Sequence, residues 1–185
     1  MKRLLIVLTA LALAAAQSCA QDEKPPIDIP VYPGGSTTME VNMTAEELIA
    51  AVEAMMPSMA ENLGPLAQVV SPADIADVVR DVKRIEYLQV EIPKASVSVR
   101  QVADFYANKL PAGQWSRVVW LSDETRVTAL FAQAGTEKLY GFRVSNTKQD
   151  GKTIRRAQVL KIEGRVDYVK VLKLGAKVGA QLFSG

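Results

Sequence analysis

The 185-residue chain contains no histidine and a single cysteine, Cys19. The first absence removes the commonest general base near neutral pH and the commonest metal ligand. The second removes disulfides within the chain and any multi-cysteine metal site. No cofactor and no metal are expected on these grounds, and no catalytic residue is assigned. Net charge is also scarce, at +2. It is unevenly spread: residues 21–91 carry thirteen acids and four bases, 92–149 eight bases and four acids, and 150–185 eight bases and three acids. Without Lys2 and Arg3 the rest is neutral, so its field would not concentrate a polyanion and no nucleic-acid partner is expected.

Long apolar runs are scarce too, and the clearest is Leu4–Ala16. It follows Met1-Lys2-Arg3 and precedes Gln17-Ser18-Cys19-Ala20. A basic start, an apolar core and small residues at its end read as an export signal over 1–20. Its thirteen residues are too few to cross a hydrocarbon core of about 30 Å. Ala16-Gln17-Ser18-Cys19 resembles the lipobox of bacterial lipoproteins, in which the cysteine becomes the acylated first residue. Ser18 fits that pattern, whereas Ala16 and Gln17 depart from it. The alternative is ordinary cleavage after Ala16 or Ala20. Acyl chains on Cys19 would hold the protein on a membrane surface, each buried CH₂ contributing about 0.8 kcal/mol.

Residues 21–40 read as an extended Pro/Gly-rich linker, because Pro25, Pro26, Pro30 and Pro33 block helix and sheet ladders alike. A single domain is expected over 41–185. Thr44 and Glu47 form a capping box for a helix whose apolar face carries Leu48, Val52, Met55 and Met56, and which Pro57 should end or kink. Met43, Met55, Met56 and Met59 read as core packing, with an apolar ligand pocket beneath them as the alternative. Ser71-Pro72 opens a second helix that turns Ile75, Val78, Val79 and Val82 inward. Ile85–Ile92 alternates as a half-buried strand, and Ser98 with Gln101 caps a helix through Leu110.

Trp115–Ser122 is the next strand, followed by a meander of Arg126–Ala134, Leu139–Val144 and Thr153–Glu163. Asp150-Gly151 supplies the positive φ that a tight hairpin needs. Gly164 should end the last strand, and Asp167 should cap a closing helix to about Leu182. The pattern predicts an α+β domain: an antiparallel sheet of about five strands with helices packed on it, preceded by an N-terminal helical segment.

Motifs of chemistry are weak. Ser145-Asn146-Thr147-Lys148 spells an acyl-transfer motif without its helix, and Gly34-Gly35 has no phosphate-loop context. Strand 115–122 is apolar on both faces. The ordinary explanation is a two-sided core. The alternative is a surface for an envelope protein partner, with Tyr87, Trp120 and Arg143 as its contact residues.

The apolar run 118–121, Arg126–Phe131, Leu139-Tyr140-Gly141-Phe142-Arg143-Val144 and Val159–Tyr168 resemble a bacterial family of unknown function, domain-of-unknown-function family 4252. That resemblance covers residues 72–178. It implies a small α+β envelope protein, commonly with a lipoprotein signal, and it implies no catalytic residues. The expectation from the whole sequence is an exported, lipid-anchored, periplasm-facing domain that binds or scaffolds a partner, or else a periplasmic carrier of a small apolar ligand or lipid.

Overall fold

The computed structural model describes residues 26–63, 71–93, 96–149, 151–167, 170 and 173, with the backbone alone at 55–63 and 72. The export signal, Cys19 and most of the expected closing helix lie outside the described residues. Lys170 and Lys173 are helical, and the Lys170 N–H donates to Asp167 Oδ1 at 3.1 Å.

Six strands form one antiparallel sheet in the order β1-β2-β6-β5-β4-β3. They are β1 Ser36–Met43, β2 Asp81–Ile92, β3 Trp115–Ser122, β4 Arg126–Gln133, β5 Lys138–Gln149 and β6 Lys152–Arg165. Among the described residues, three complete helices, α1 Ala45–Leu63, α2 Pro72–Val79 and α3 Val99–Asn108, accompany the sheet in an α+β architecture that is mostly sheet. The sixth strand, beyond the five expected, is β1, which begins inside the stretch read as linker. The chain reverses at Pro33-Gly34, where Gly34 has φ +78°. Gly35 then lies so close to β2 that a Cβ there would sit 3.2 Å from Ile92 Cγ1. Glycine at that point lets residues 36–43 pair instead of trailing away.

The chain divides into two compact units. Among the described residues, one comprises Met43–Arg84 and the residues from Gly164 onward. Its helix α1 is capped as the sequence predicts: Glu47 N–H donates to Thr44 Oγ1 at 3.2 Å, and Thr44 N–H donates to Glu47 Oε2 at 2.8 Å. The helix does not stop at Pro57 but runs on to Leu63. Helix α2 opens on a second capping box, Ser71 with Asp74, and ends at Val79, so Val82 is buried from β2 and not from the helix. Met43, Leu48, Val52, Ile75, Val78 and Val79 are buried, each contributing about 1.5–3 kcal/mol by leaving water.

Strand β6 continues through Gly164 instead of ending there. Gly164 has φ +110°, and a Cβ at that position would lie 2.7 Å from Lys83 N and from Val82 Cα. Only glycine allows β6 to pass so near the start of β2 with that backbone.

The other unit comprises Lys24–Asn42 and Ile85–Glu163. Strands β3 to β6 form an antiparallel meander, with Phe142 opposite Ala129 on one side and Val159 on the other. The β5–β6 ladder runs unbroken to Gln149↔Lys152, and Gly151, in the turn, has φ +74°. On β3 the register skips between Arg117 and Val119, so Val118 has no partner on β4. Helix α3 buries Val99, Val102, Ala103 and Tyr106 against Val127, Ala129, Phe131, Phe142 and Val144. Phe142 sits among aromatic rings, about 6.0 Å from Tyr106, Trp120 and Phe131. Offset and edge-on ring pairs of this kind add about 0.5–1.5 kcal/mol each beyond their buried area.

Gly164→Ala is expected to cost about 2–4 kcal/mol, the sum of left-handed strain and overpacking. Gly135 has φ +68°, and a Cβ added there would meet nothing within 4 Å, so Gly135→Ala should cost only about 1–2 kcal/mol. Urea denaturation of the two variants measures the difference.

Candidate functional site

The three residues expected at a partner surface do not share one. Tyr87 is only 1% exposed. Its hydroxyl accepts from Gln158 Nε2 at 3.0 Å and donates to Gln89 Oε1 at 3.3 Å. Burial raises its pKa, against the opposing effects of Gln158 and Arg156. Arg143, opposite Gln158 in the ladder, shares that face. Trp120 faces the other way, edge-on to Phe142, with the guanidinium groups of Arg100 and Arg117 at 4.9 and 5.5 Å from its ring. Of the large apolar side chains, Val118 and Leu121 on β3 are exposed.

The structure instead points to a cavity of about 590 Å³ within the sheet-bearing unit. One wall is a strap, Ile27–Pro30, which precedes β1. Ile29 belongs to the hydrophobic core, and Ile27 and Tyr32 pack against it. Tyr32 lies edge-on to Phe105 with centroids 5.0 Å apart. The apolar side chains alternate with Asp28, and that alternation seats the strap.

A polar anchor fixes its height. Glu86, 2% exposed, accepts the Asp28 backbone N–H at 3.2 Å. The Lys161 ammonium, its side chain 14% exposed, lies 3.1 Å from Asp28 Oδ2 and 3.7 Å from Glu86 Oε2. Both residues extend apolar faces of their strands: Glu86 precedes Leu88, Val90 and Ile92 at period two, and Lys161 follows Ala157 and Val159. Each is therefore carried into the interior by its neighbours, where the two opposite charges lie beside one another.

The opposite wall is the end of α3 and the start of β3. Lys109 caps α3, and the chain turns through Leu110, Pro111 and Gln114, the Gln114 N–H donating to Pro111 O at 3.3 Å. Gln133 Nε2 donates to Gln114 Oε1 at 3.3 Å, fixing the rim. Trp115 stands edge-on to Tyr140 at 6.2 Å. On the sheet, Lys138 pairs with Glu163 at 2.8 Å, and Tyr140 lies directly opposite Lys161.

Two tyrosine hydroxyls in this unit are buried without a hydrogen-bond partner among the described residues, those of Tyr106 and Tyr140. Tyr106 lies beside the Tyr32 backbone without reaching bonding geometry. Burial pushes the pKa of both well above the ordinary tyrosine value, and at Tyr140 the charges of Tyr106 and Asp28 push the same way.

Within the other unit, a cavity of about 260 Å³ is lined by Asp77, Arg80, Asp81, Arg165, Asp167 and Lys170. Its charges answer one another: Arg80 meets Asp77 at 2.6 Å, and Lys170 meets the same carboxylate at 3.5 Å. Among the described residues no group of three or more acidic, cysteine or histidine side chains is placed to hold a metal. No helix among them is long and apolar enough to cross a membrane. No family model, curated protein or solved structure matches the chain.

Sequence reasoning does not reach this cavity. Asp28 and Lys161 meet across 133 positions of sequence. The available signal is a charge on the apolar side of each of two alternating strands, Glu86 and Lys161.

Lys161→Met should cost about 3–5 kcal/mol by removing the ammonium that lies beside the buried Glu86 carboxylate, whereas the double change with Glu86→Leu should recover most of that loss. Asp28→Ala, at a carboxylate whose side chain is 89% exposed, should cost under about 1 kcal/mol. Urea titrations of the three variants read these values.

A second expectation concerns alkaline pH. Burial holds Tyr87, Tyr106 and Tyr140 protonated beyond the ordinary value of about 10. Below about pH 10 the folded and unfolded chains both keep these protons. Above it the unfolded chain releases them first, so stability falls as pH rises. Absorbance at 295 nm should show these three phenols ionising together with the loss of circular dichroism, not before it.

Proposed function

We propose that the protein is an exported envelope lipoprotein, held on a membrane surface through acyl chains on Cys19, whose folded part binds or scaffolds a partner without catalysis. The observation that carries this reading is the leader: Lys2-Arg3, the apolar run Leu4–Ala16, and the chain's single cysteine placed directly after Ser18. The resemblance of the carboxy-terminal half to domain-of-unknown-function family 4252 supports the same location. The absence of histidine, with one cysteine in the leader region, favours binding over group-transfer chemistry. The near-neutral mature chain argues against a nucleic-acid partner.

A second reading, a periplasmic carrier of a small apolar ligand or lipid, is favoured by one specific observation, the cavity of about 590 Å³ beside the strap. That size falls in the range typical of small-molecule sites, about 300–1,000 Å³. Its lining includes no residue of the Met-rich helix, where the sequence places an apolar pocket.

Mass spectrometry of the mature amino terminus tests the anchor. The expected result is an acylated Cys19 as first residue. An unmodified chain beginning at Gln17 or Gln21 would overturn it.

A further inference from the structure

We propose that the outer surface formed by the strap and the end of α3 lies on the bilayer that holds the acyl chains of Cys19. The folded part would then make a second, peripheral contact with the membrane. This rests on the reading of the protein as a lipoprotein anchored at Cys19. From Cys19 to Pro26 is seven residues, at most about 25 Å of chain and typically about 15 Å end to end. The strap that follows gives no further slack. Ile29 is buried in the core, Ile27 and Tyr32 pack against it, and the Asp28 N–H is bonded to Glu86. A folded unit of this size has a radius of gyration of about 13 Å. The typical tether is therefore no longer than the body it holds is deep, and the strap is kept beside the bilayer. Turning the opposite face of the sheet to the membrane would draw the tether towards its limit, at a cost in chain entropy.

The composition of the surface there suits the headgroup boundary. Residues 29–39 carry no charged side chain, and 105–122 carry no acid and only two bases, Lys109 and Arg117. Val31, on the strap, is 45% exposed. Its neighbour Tyr32 meets Phe105 edge-on at 5.0 Å, and the Lys109 ammonium stands 5.3 Å from the same ring. Pro111, Ala112 and Gly113 continue the exposed, uncharged surface beyond Lys109. Lys109 has no ion pair among the described residues. The acids on these elements are engaged: Asp28 meets Lys161 at 3.1 Å, and Asp104 meets Arg100 at 3.1 Å. An exposed apolar side chain, amphipathic rings and an unpaired ammonium on a long stem are the groups that settle where acyl chains meet headgroups. A second copy seated here about a two-fold axis would instead bring two unpaired ammonium groups together.

The test uses the full chain as the cell matures it, reconstituted into vesicles of phosphatidylethanolamine and phosphatidylglycerol. Acylation occupies the Cys19 sulfur, so Val31→Cys and Leu121→Cys each present one free thiol for the environment-sensitive dye NBD. The two sites are matched: Val31 and Leu121 are both 45% exposed, and Leu121, opposite Thr128, lies on the sheet face turned away from α3. The label at 31 should be shifted to the blue and quenched by iodide at least about threefold less than the label at 121. Adding Lys109→Glu should raise iodide access at 31 at least about threefold and keep the near-ultraviolet circular dichroism of the parent. Three outcomes overturn the proposal: equal quenching at the two sites, shielding at 31 that Lys109→Glu leaves intact, or shielding that grows with the protein-to-lipid ratio. The last would show a second copy on the strap.

The mass spectrum of the same preparation separates this contact from the anchor. An unacylated chain refutes both. An acylated chain whose label at 31 stays open to iodide refutes the contact and leaves the anchor standing.

Discussion

A carboxylate held at 2% exposure is the constraint around which the sheet-bearing unit is built. Moving an ion of that size out of water costs several kcal/mol even after relaxation. Glu86 offsets that cost with the Asp28 N–H at 3.2 Å and the Lys161 ammonium at 3.7 Å. Both of these partners are long-range in sequence, so this part of the compensation exists only when β2, β6 and the strap are in register together. The arrangement adds little net stability compared with an apolar replacement, but it penalises every wrong register heavily.

From that anchor the rest of the cavity follows. Lys161 is held opposite Tyr140 by the β5–β6 ladder, and Tyr140 is held against Trp115 by the aromatic cluster around Phe142. The strap cannot close down on Tyr140 because Ile29 is already seated in the core and Asp28 is tied to β2. A space lined by prolines, rings and ammonium groups remains.

How much of this is legible in the sequence follows the range of the interactions. The capping boxes at Thr44–Glu47 and Ser98–Gln101 are local, and the structure forms both as the sequence predicts. The strands of the meander are legible with their ends drawn in, since Ser145–Gln149 is polar and yet pairs with the return strand. Strand β1 is hidden by the prolines just before it, although Gly35 is what brings residues 36–43 against β2. Pro57 reads as a helix end, yet α1 continues through it to Leu63. Gly164 reads as a terminator, and its role is a close approach to Val82 and Lys83. The cavity is not legible, because Asp28, Lys109, Tyr140 and Lys161 each look like ordinary surface or core residues until the fold gathers them. Tyr87 resembles a contact residue by its type alone, and the alternation of its strand does not reveal that its face is covered.

The skipped register at Val118 has a colloidal consequence. β3 is one margin of the sheet, and its row of free peptide groups would otherwise offer a template to another chain. With an extra residue inserted there, the spacing of donors and acceptors changes midway along the strand. A straight segment from a neighbouring molecule could match one half of this margin but not both. Copies crowded together are thereby discouraged from zipping into fibrils, even though Val118 and Leu121 leave greasy surface at that border.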